Sequence, residues 1–219
     1  MAKVVSVEEA VCLIKDGDAV MIGGFMGCGN PHKVIDALVK KGTKNLTVMC
    51  NDGAWPEFGV AKLITSGQVK KLIATHVGLN PEVGKKMNTG ELQVELIPQG
   101  TFAERIRCGG NGMGGFLTVT GFGTIIADGK QVISIDGKDY LLELPLRADV
   151  ALICGNKIDP KGNVWYRGTT RNFNVVMATA ADLVIAEADN VVELGKIEPE
   201  NVVTQGIFVD YIVNGGNAS

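Results

Sequence analysis

Short apolar segments alternate with stretches of helical periodicity along this chain, and that alternation narrows the fold more than any other feature. Ala19–Ile22 and Val150–Cys154 carry no polar residue. A strand without a polar face is one buried on both sides. Between such segments the apolar residues fall at helical spacing, as Val34, Ile35, Leu38 and Val39 do. The alternation continues with strands at Leu46–Cys50, Val69–Thr75 and Leu92–Ile97 and helices at Val60–Ile64, Pro81–Met87 and Phe102–Arg107. The class is therefore α/β, an open and mostly parallel sheet with helices on both faces.

Local signals mark the element ends. Ser6 followed by Glu9 forms a capping box ahead of Ala10, Val11, Leu13 and Ile14, and Asp16-Gly17 ends that helix. Asn30 is placed to cap the next helix, Pro31 to open it and Gly42 to close it. Thr101 is expected to cap the helix that follows Leu92–Ile97. The pattern then changes. Gln131–Ile135 and Tyr140–Leu144 flank Asp136-Gly137, a hairpin signal, so an antiparallel piece is expected to join the sheet. Further on, strands are predicted at Val150–Cys154, Leu183–Ala186 and Ile207–Val213. A turn is expected over Asp159–Asn163, extended chain over Val164–Tyr166, a helix over Asn172–Ala181 and a connector over Glu198–Val203. No internal repeat or low-complexity linker divides the chain, and one domain over 1–219 is expected.

Composition excludes several classes. A net charge of −3 gives no basic excess for nucleic acid. An acidic ligand must be held by local arrangement rather than by the overall field. The five cysteines, at 12, 28, 50, 108 and 154, form no CxxC pair, which argues against a zinc ribbon or disulfide framework. Free thiols suit a reducing cytoplasm. MAKVVSVEEA has acids where a signal peptide needs an apolar core, and no run long enough to span a membrane occurs. His32 and His76 are the two histidines, with no flanking acid pattern, so no metal site is expected.

The 29 glycines are concentrated at 23–29 and 109–123. The first cluster follows a predicted strand and precedes a predicted helix, an arrangement that sets backbone N–H groups and a helix N-terminus against an anion. It is not a Walker A loop, because no Gly-Lys-Ser/Thr follows. Its order, G-G-F-x-G-x-G, is also a poor dinucleotide fingerprint. A tight strand-to-helix turn without a ligand is the plain alternative.

Six ordered blocks carry a resemblance. They are D16-G17-x-x-V20-M21-I22-G23-G24-F25-x-x-x-G29-x-P31, N51-D52, P98-Q99-G100-T101 with E104-R105-I106-R107, G109-G110-x-G112-x-G114-G115-F116, L142-E143-x-P145-L146-R147-A148-D149, and R171-N172-F173-N174. Together they resemble the α subunits of class I coenzyme A transferases of the acetate or butyrate–acetoacetate type, over nearly the whole chain. The resemblance implies the open α/β fold that family shares with sugar-phosphate isomerases and deaminases. It implies transfer of CoA from an acyl-CoA to a free short-chain acid through an acyl anhydride and a glutamyl-CoA thioester. In the family the glutamate lies in a Ser-Glu-Asn-Gly stretch of the β subunit. No Ser-Glu pair exists in this chain. The nucleophile is thus expected on a β-subunit partner, in an α2β2 assembly, with acyl-CoA and a carboxylic acid as substrates and no tightly bound cofactor.

By the same resemblance Gly23, Gly24, Phe25, Met26, Gly27, Cys28 and Gly29 are the CoA contact. Gly109, Gly110, Gly112 and Gly114 resemble part of the acyl pocket's wall, with a flexible cover as the plain alternative. Both loops could offer N–H donors to an oxyanion. Gly24→Val is expected to lower activity with little loss of fold. Asn51 and Gln99 follow strands, where clefts form in open sheets. Uncharged amides there could bind a carboxylate or carbonyl without quenching the nucleophile, or could simply stabilise turns. Glu57, Glu104, Glu143 and Glu187 lie outside the nucleophile motif and are expected in surface roles. Arg105 and Arg107 are read as partners for an acid or a phosphate, one of them structural. Cys28 is a small filler, and Trp55 and Trp165 are interface or core residues. Two other readings stay open. One is a stand-alone sugar-phosphate isomerase or deaminase using Asp52 or Glu104 as base. The other is a non-catalytic ligand sensor.

Overall fold

The computed structural model describes residues 2–216. The chain opens with β1 (Lys3–Val5), α1 (Val7–Cys12), β2 (Ala19–Ile22), α2 (His32–Lys41) and β3 (Leu46–Met49). It continues through α3 (Ala61–Thr65), β4 (Val69–Ala74), α4 (Pro81–Thr89), β5 (Gln93–Leu96) and α5 (Gln99–Gly110). A small antiparallel unit follows: β6 (Phe116–Thr118), β7 (Val132–Ile135) and β8 (Lys138–Glu143). The last part holds β9 (Ala148–Ile158), β10 (Val164–Trp165), α6 (Phe173–Met177), β11 (Ala181–Val191) and β12 (Tyr211–Asn214).

Residues on alternate sides of the apolar strands explain the layers. Val20, Ile22, Val48 and Leu72 pack with Ala10, Ile35, Leu38 and Leu63 of α1 to α3 and with Ile14 just past α1. Met21, Met49 and Ile73, one residue out of phase, pack with Phe102 and Ile106 of α5 and Met177 of α6. A strand pressed on both faces has no room for a polar side, which is why these runs are continuous. Full burial of each such side chain contributes about 1.5–3 kcal/mol.

The main sheet runs β1-β12-β11-β9-β2-β3-β4-β5, with neighbouring strands parallel and β10 added antiparallel to β9. From β2 the chain moves outward through β3, β4 and β5. It then returns to β9 on the other side of β2 and moves outward again. The order reverses between β2 and β9, and the crevice beyond the carboxyl ends of such a pair is where ligands bind in open α/β sheets.

Several expectations need correction. The hairpin does form, with Asp136 and Gly137 both at positive φ as its mirror-image turn demands. However, it joins β6 in a separate sheet, β6-β8-β7, rather than extending the main one. Arg105 ties that unit to α5 by donating to the Leu144 carbonyl at 2.7 Å. Helix α2 has Pro31 at its cap without a side-chain bond, because Asn30 is engaged elsewhere. Helix α5 starts at Gln99 behind Pro98, so Thr101 lies buried inside the first turn rather than capping it. Helix α6 stops at Met177, since the chain must enter β11 at Ala181 beside Ala148. The last strand begins only at Tyr211, after a 3-10 turn over Gly206–Phe208. Strand β1, too short to show a pattern, was not expected. The capping box is present, with Ser6 Oγ accepting from Glu9 N at 3.1 Å and Glu9 Oε2 from Ser6 N at 2.9 Å. Gly42 closes α2 in the left-handed conformation.

Candidate active site

The glycine loop leaves β2 at the reversal point. Gly23 N donates to Leu152 O of β9 at 2.9 Å, and Phe25 and Cys28 exchange backbone bonds at 3.0 and 2.9 Å. Gly24 N donates to Asn172 Oδ1 at 3.0 Å, and Met26 N to Asp52 Oδ2 at 2.8 Å. Met26 holds a φ of 51°, a conformation that costs about 1 kcal/mol or more in a non-glycine residue. The Asp52 carboxylate, buried and also bonded to Ala54 N at 2.8 Å and Asn51 Nδ2 at 2.7 Å, holds it there. Asn30 N donates to Gly27 O. Among the described residues, Gly27 and Gly29 are the loop positions from 23 to 30 whose N–H groups have no partner.

What the loop's glycines approach is chiefly a set of asparagines. A Cβ on Gly23 would collide with Asn174 Oδ1, one on Gly24 with Asn30 Nδ2, and one on Gly29 would crowd the amides of Asn174 and Asn172. Gly27 lies against the Phe58 ring. Asn174, wholly buried, accepts from Cys154 N at 3.0 Å and donates to Gly29 O and Thr170 O, both at 3.0 Å. Asn172 donates to Cys28 O at 3.0 Å and Thr169 O at 2.8 Å. Asn30 donates to Gly23 O and accepts from Val60 N at 3.1 Å. Gly24→Val would therefore disturb the fold as well as the loop, contrary to expectation.

The N-terminus of α2 is not open to an external anion. Glu187 of β11 reaches it, with Oε2 accepting from Val34 N at 2.9 Å. Glu187 is buried, not a surface residue, and burial raises its pKa despite the bonds from Val34 and Lys33, with Asp189 adding to the rise. Nearby His32 packs tilted against Phe58 at 4.6 Å between centroids, and burial lowers its pKa.

Two clefts lie side by side beyond the strands. The first, about 430 Å³, is lined by Phe25, Gln99, Gly100, Ala103, Asn172, Phe173 and Val176. The second, about 510 Å³, shares Phe25 and Asn172 and adds Met26, Cys28, Trp55, Thr169 and Arg171. Gln99 faces the first cleft, and its Nε2 donates to Asn51 Oδ1 at 2.6 Å. Asn51 is buried behind it and also accepts from Thr75 Oγ1 at 3.2 Å. Cys28 Sγ sits 3.1 Å from Thr169 Oγ1.

The second glycine cluster lines neither cleft. Gly109 and Gly110 end α5, whose first residue is Gln99, roughly 15 Å away along the helix at 1.5 Å per residue. Gly112 and Gly114 follow beyond that end. Arg107 pairs with Glu104 on the surface. Arg105 reaches Glu143 at 3.9 Å and Glu95 at 3.7 Å, so both arginines are committed within the chain. Glu143 is buried and also paired with Lys130, again not the expected surface residue. Trp165 lies under the Lys157 ammonium, 5.2 Å from the ring centroid, whereas Trp55 is half exposed. No cluster of three or more metal-ligating side chains occurs among the described residues, and none of their helices is long and apolar enough to cross a membrane.

Sequence reasoning missed the roles of Asn30, Asn172 and Asn174. R171-N172-F173-N174 was visible as a block. The signal that could have found them is the pairing of an asparagine-rich turn with glycines that need a small, polar neighbour.

A parallel sheet that reverses at β2 and β9, with a clamped glycine loop over two clefts, defines a class of ligand-binding α/β fold. Residues 4–215 match the coenzyme A transferase family, and the chain belongs to that family. It is 54% identical over 212 residues to the acetoacetyl-CoA:acetate/butyrate CoA transferase alpha subunit of Clostridium acetobutylicum, covering 97% of each chain. It is 47% identical to the acetate CoA-transferase subunit alpha of Escherichia coli, covering 96% of each. In structure it resembles an acyl-CoA transferase of E. coli solved as a thioester complex with CoA, with a TM-score of 0.88 at 22% identity. That match covers 97% of this chain and 47% of the other, so this chain spans about half of that longer one.

Proposed function

We propose that this chain is the α half of a short-chain acyl-CoA:carboxylate CoA-transferase, working as one domain in an α2β2 assembly in the cytoplasm. The observation that carries the reading is the near full-length kinship to a relative named as an acetoacetyl-CoA:acetate/butyrate CoA transferase alpha subunit. The site supports it. Neither cleft has a carboxylate among its lining residues, which suits a glutamate nucleophile delivered by the β subunit. The five cysteines are unpaired, as a reducing compartment requires.

In this reading the partner's glutamate attacks the thioester carbonyl and expels CoA thiolate, leaving an acyl anhydride. The thiolate attacks the glutamyl carbonyl, releasing the first acid and forming glutamyl-CoA. The acceptor acid then runs the two steps in reverse. This chain's part is to hold substrate and stabilise oxygen charge. The unpartnered N–H groups of Gly27 and Gly29 are the loop donors left for that task, although the loop residues that line the clefts are Phe25, Met26 and Cys28 and not its glycines. Gln99 meets the acyl carbonyl as an uncharged donor, and Asn51 is the positioning residue that fixes the Gln99 amide. The isomerase reading loses both its bases, because Asp52 is spent on three donors and Glu104 on Arg107.

The test is reconstitution. CoA transfer from acetoacetyl-CoA to acetate should need both chains, and a CoA adduct should appear by mass on a β-chain glutamate. Full turnover by this chain alone sinks the proposal.

A further inference from the structure

The edge strands of an open sheet turn unpaired N–H and C=O groups outward, and an edge without a guard is a template for another strand. The main sheet ends at β1 and β5, which carry Lys3 and Glu95. The small sheet ends at β6, which packs against α5, and at β7. Strand β7 reads Val-Ile-Ser-Ile, with no charge, proline or bulge, and Val132 and Ile135 are 48% and 46% exposed. On its inner side Leu142 N donates to Gln131 O at 2.9 Å. Backbone groups alternate sides along an antiparallel strand. Gln131, Ile133 and Ile135 therefore bond toward β8, and the N–H and C=O of Val132 and Ser134 point away from it. Side chains alternate too. Ile133 shares the outer face of the sheet with Tyr140, its partner in register, whereas Leu141, opposite Val132, is buried against the body.

We infer that β7 is where a second copy of this chain docks. The two β7 strands pair antiparallel about a twofold axis at Ile133 and join two three-stranded sheets into one of six strands. Residues 130–136, KQVISID, match their own copy in this register. With Ile133 opposite Ile133 of the copy, Val132 stands opposite Ser134. Their outward groups then exchange two hydrogen bonds, and the axis repeats them. The isoleucines meet at the position without hydrogen bonds, where facing side chains come closest. One step beyond the strand ends, Lys130 comes opposite Asp136 of the copy, and the axis repeats that match as well. Opposite charges facing across a pair of strands favour the register. Lys130 already pairs with Glu143 of its own chain, whereas Asp136 is exposed. Four residues a side bury too little for a stable dimer, which needs about 1,000 Å² or more. The connection from β6 into β7 adds exposed Val119, Phe122 and Ile125, the last of them 84% exposed. No residue of β7 lines either cleft. The inference does not depend on the transferase reading, within which this contact joins the two α subunits.

The experiment is sedimentation velocity on the full chain, alone and assembled with its β subunit. The wild-type chain should sediment as a dimer. Ile133→Lys and Ile133→Glu each set two like charges face to face at the axis, and each should raise the dimer dissociation constant at least about tenfold. An equimolar mixture of the two sets lysine against glutamate and should restore the dimer. Ser134→Pro removes an outward donor from each copy and leaves the bonds to β8 in place. It should weaken the dimer in the same direction, and it covers the case in which the charged variants fail to fold by circular dichroism. In the assembled enzyme the same variants should give particles with one α chain that keep CoA transfer per α–β pair. A wild-type chain that is a monomer both alone and in the assembled enzyme overturns the assignment. So do dimers unchanged in every variant, or a mixture of the charged variants that stays apart. Folded variants that no longer bind the β subunit overturn it as well, since the edge then belongs to that partner. If no sample transfers CoA, it is the transferase reading that fails, and sedimentation of the chain alone still decides the dimer.

Discussion

Gly23 and Gly109 each sit where a Cβ would strike a neighbour, but the neighbours differ in kind. At Gly23 the obstacle is the Asn174 amide, and at Gly109 it is the Leu146 carbonyl. The first cluster lets side-chain amides reach loop backbone at the edge of two clefts. The second brings helix α5 close to the chain that enters β9, where Arg147 Nη1 also donates to Gly109 O at 2.9 Å. Gly110 similarly admits Thr179 and Gly115 the Glu143 carbonyl. High glycine content therefore marks a rigid, clamped loop in one place and a close crossing of backbones in the other. What separates them is the asparagine content of the partner segment.

Removing the clamp should produce the largest effect and the sharpest contrast. Asn174→Ala leaves Cys154 N and Thr170 O without their partner in buried surroundings and Gly29 O in a part-buried one. Stranded buried groups cost about 1–3 kcal/mol each when nothing replaces the bond. A loss of about 3 kcal/mol in urea unfolding is expected, together with reduced CoA transfer in the assembled enzyme. A loss below about 1 kcal/mol would mean that the loop holds its shape without the asparagines, and the contrast between the clusters would disappear.

The layers and strand order follow from residues that sequence alone displays. Val20, Met21 and Ile22 alternate between two packed faces, and each helix that covers them announces itself by periodicity. The reversal between β2 and β9 was not legible, because it depends on which strand pairs with which across long separations. The separate placement of the hairpin was hidden for the same reason. At the site, Asn51 and Gln99 could be located from strand ends, but the bond between them joins positions 48 residues apart. The capping of α2 by Glu187 spans 153 residues. Local sequence offered Asn30 and Pro31 for that task, and tertiary geometry supplied a carboxylate from another strand instead.

Glu187 extends the comparison by testing how far the first loop depends on the helix that follows it. Its pKa is raised, chiefly by burial and further by Asp189, against the opposing bonds from Val34 and Lys33, whose ammonium also opposes the rise. The folded state thus binds its proton more tightly than the unfolded state does. That contribution to stability is fully present below about 4.3, the ordinary glutamate value, and is lost as pH rises through the folded value. Cys154 stands opposite in register, and burial raises its pKa as well, keeping the thiol neutral beside Glu187. Glu187→Gln keeps an acceptor for Val34 N but does not titrate. Urea midpoints measured from pH 4 to 8 should fall with rising pH more steeply in the wild type than in Glu187→Gln. Parallel curves for the two proteins would show that this carboxylate does not govern the helix start.

The smallest expected effect comes from the end of the second cluster, where two glycines separate contact from conformation. A Cβ on either Gly112 or Gly114 meets nothing within 4 Å, but Gly112 has a φ of 67° whereas Gly114 is not in the left-handed region. Alanine at 112 must adopt a conformation that costs an L-residue about 1 kcal/mol. Alanine at 114 carries neither penalty, and its stability should stay within about 0.5 kcal/mol of wild type. Since neither residue lines either of the two clefts, both variants should also keep the wild-type ratio of butyrate to acetate turnover. A changed ratio in Gly114→Ala would mean that the second cluster reaches the acyl group in the assembled enzyme. The functional difference between the two glycine loops would then be one that the β subunit erases.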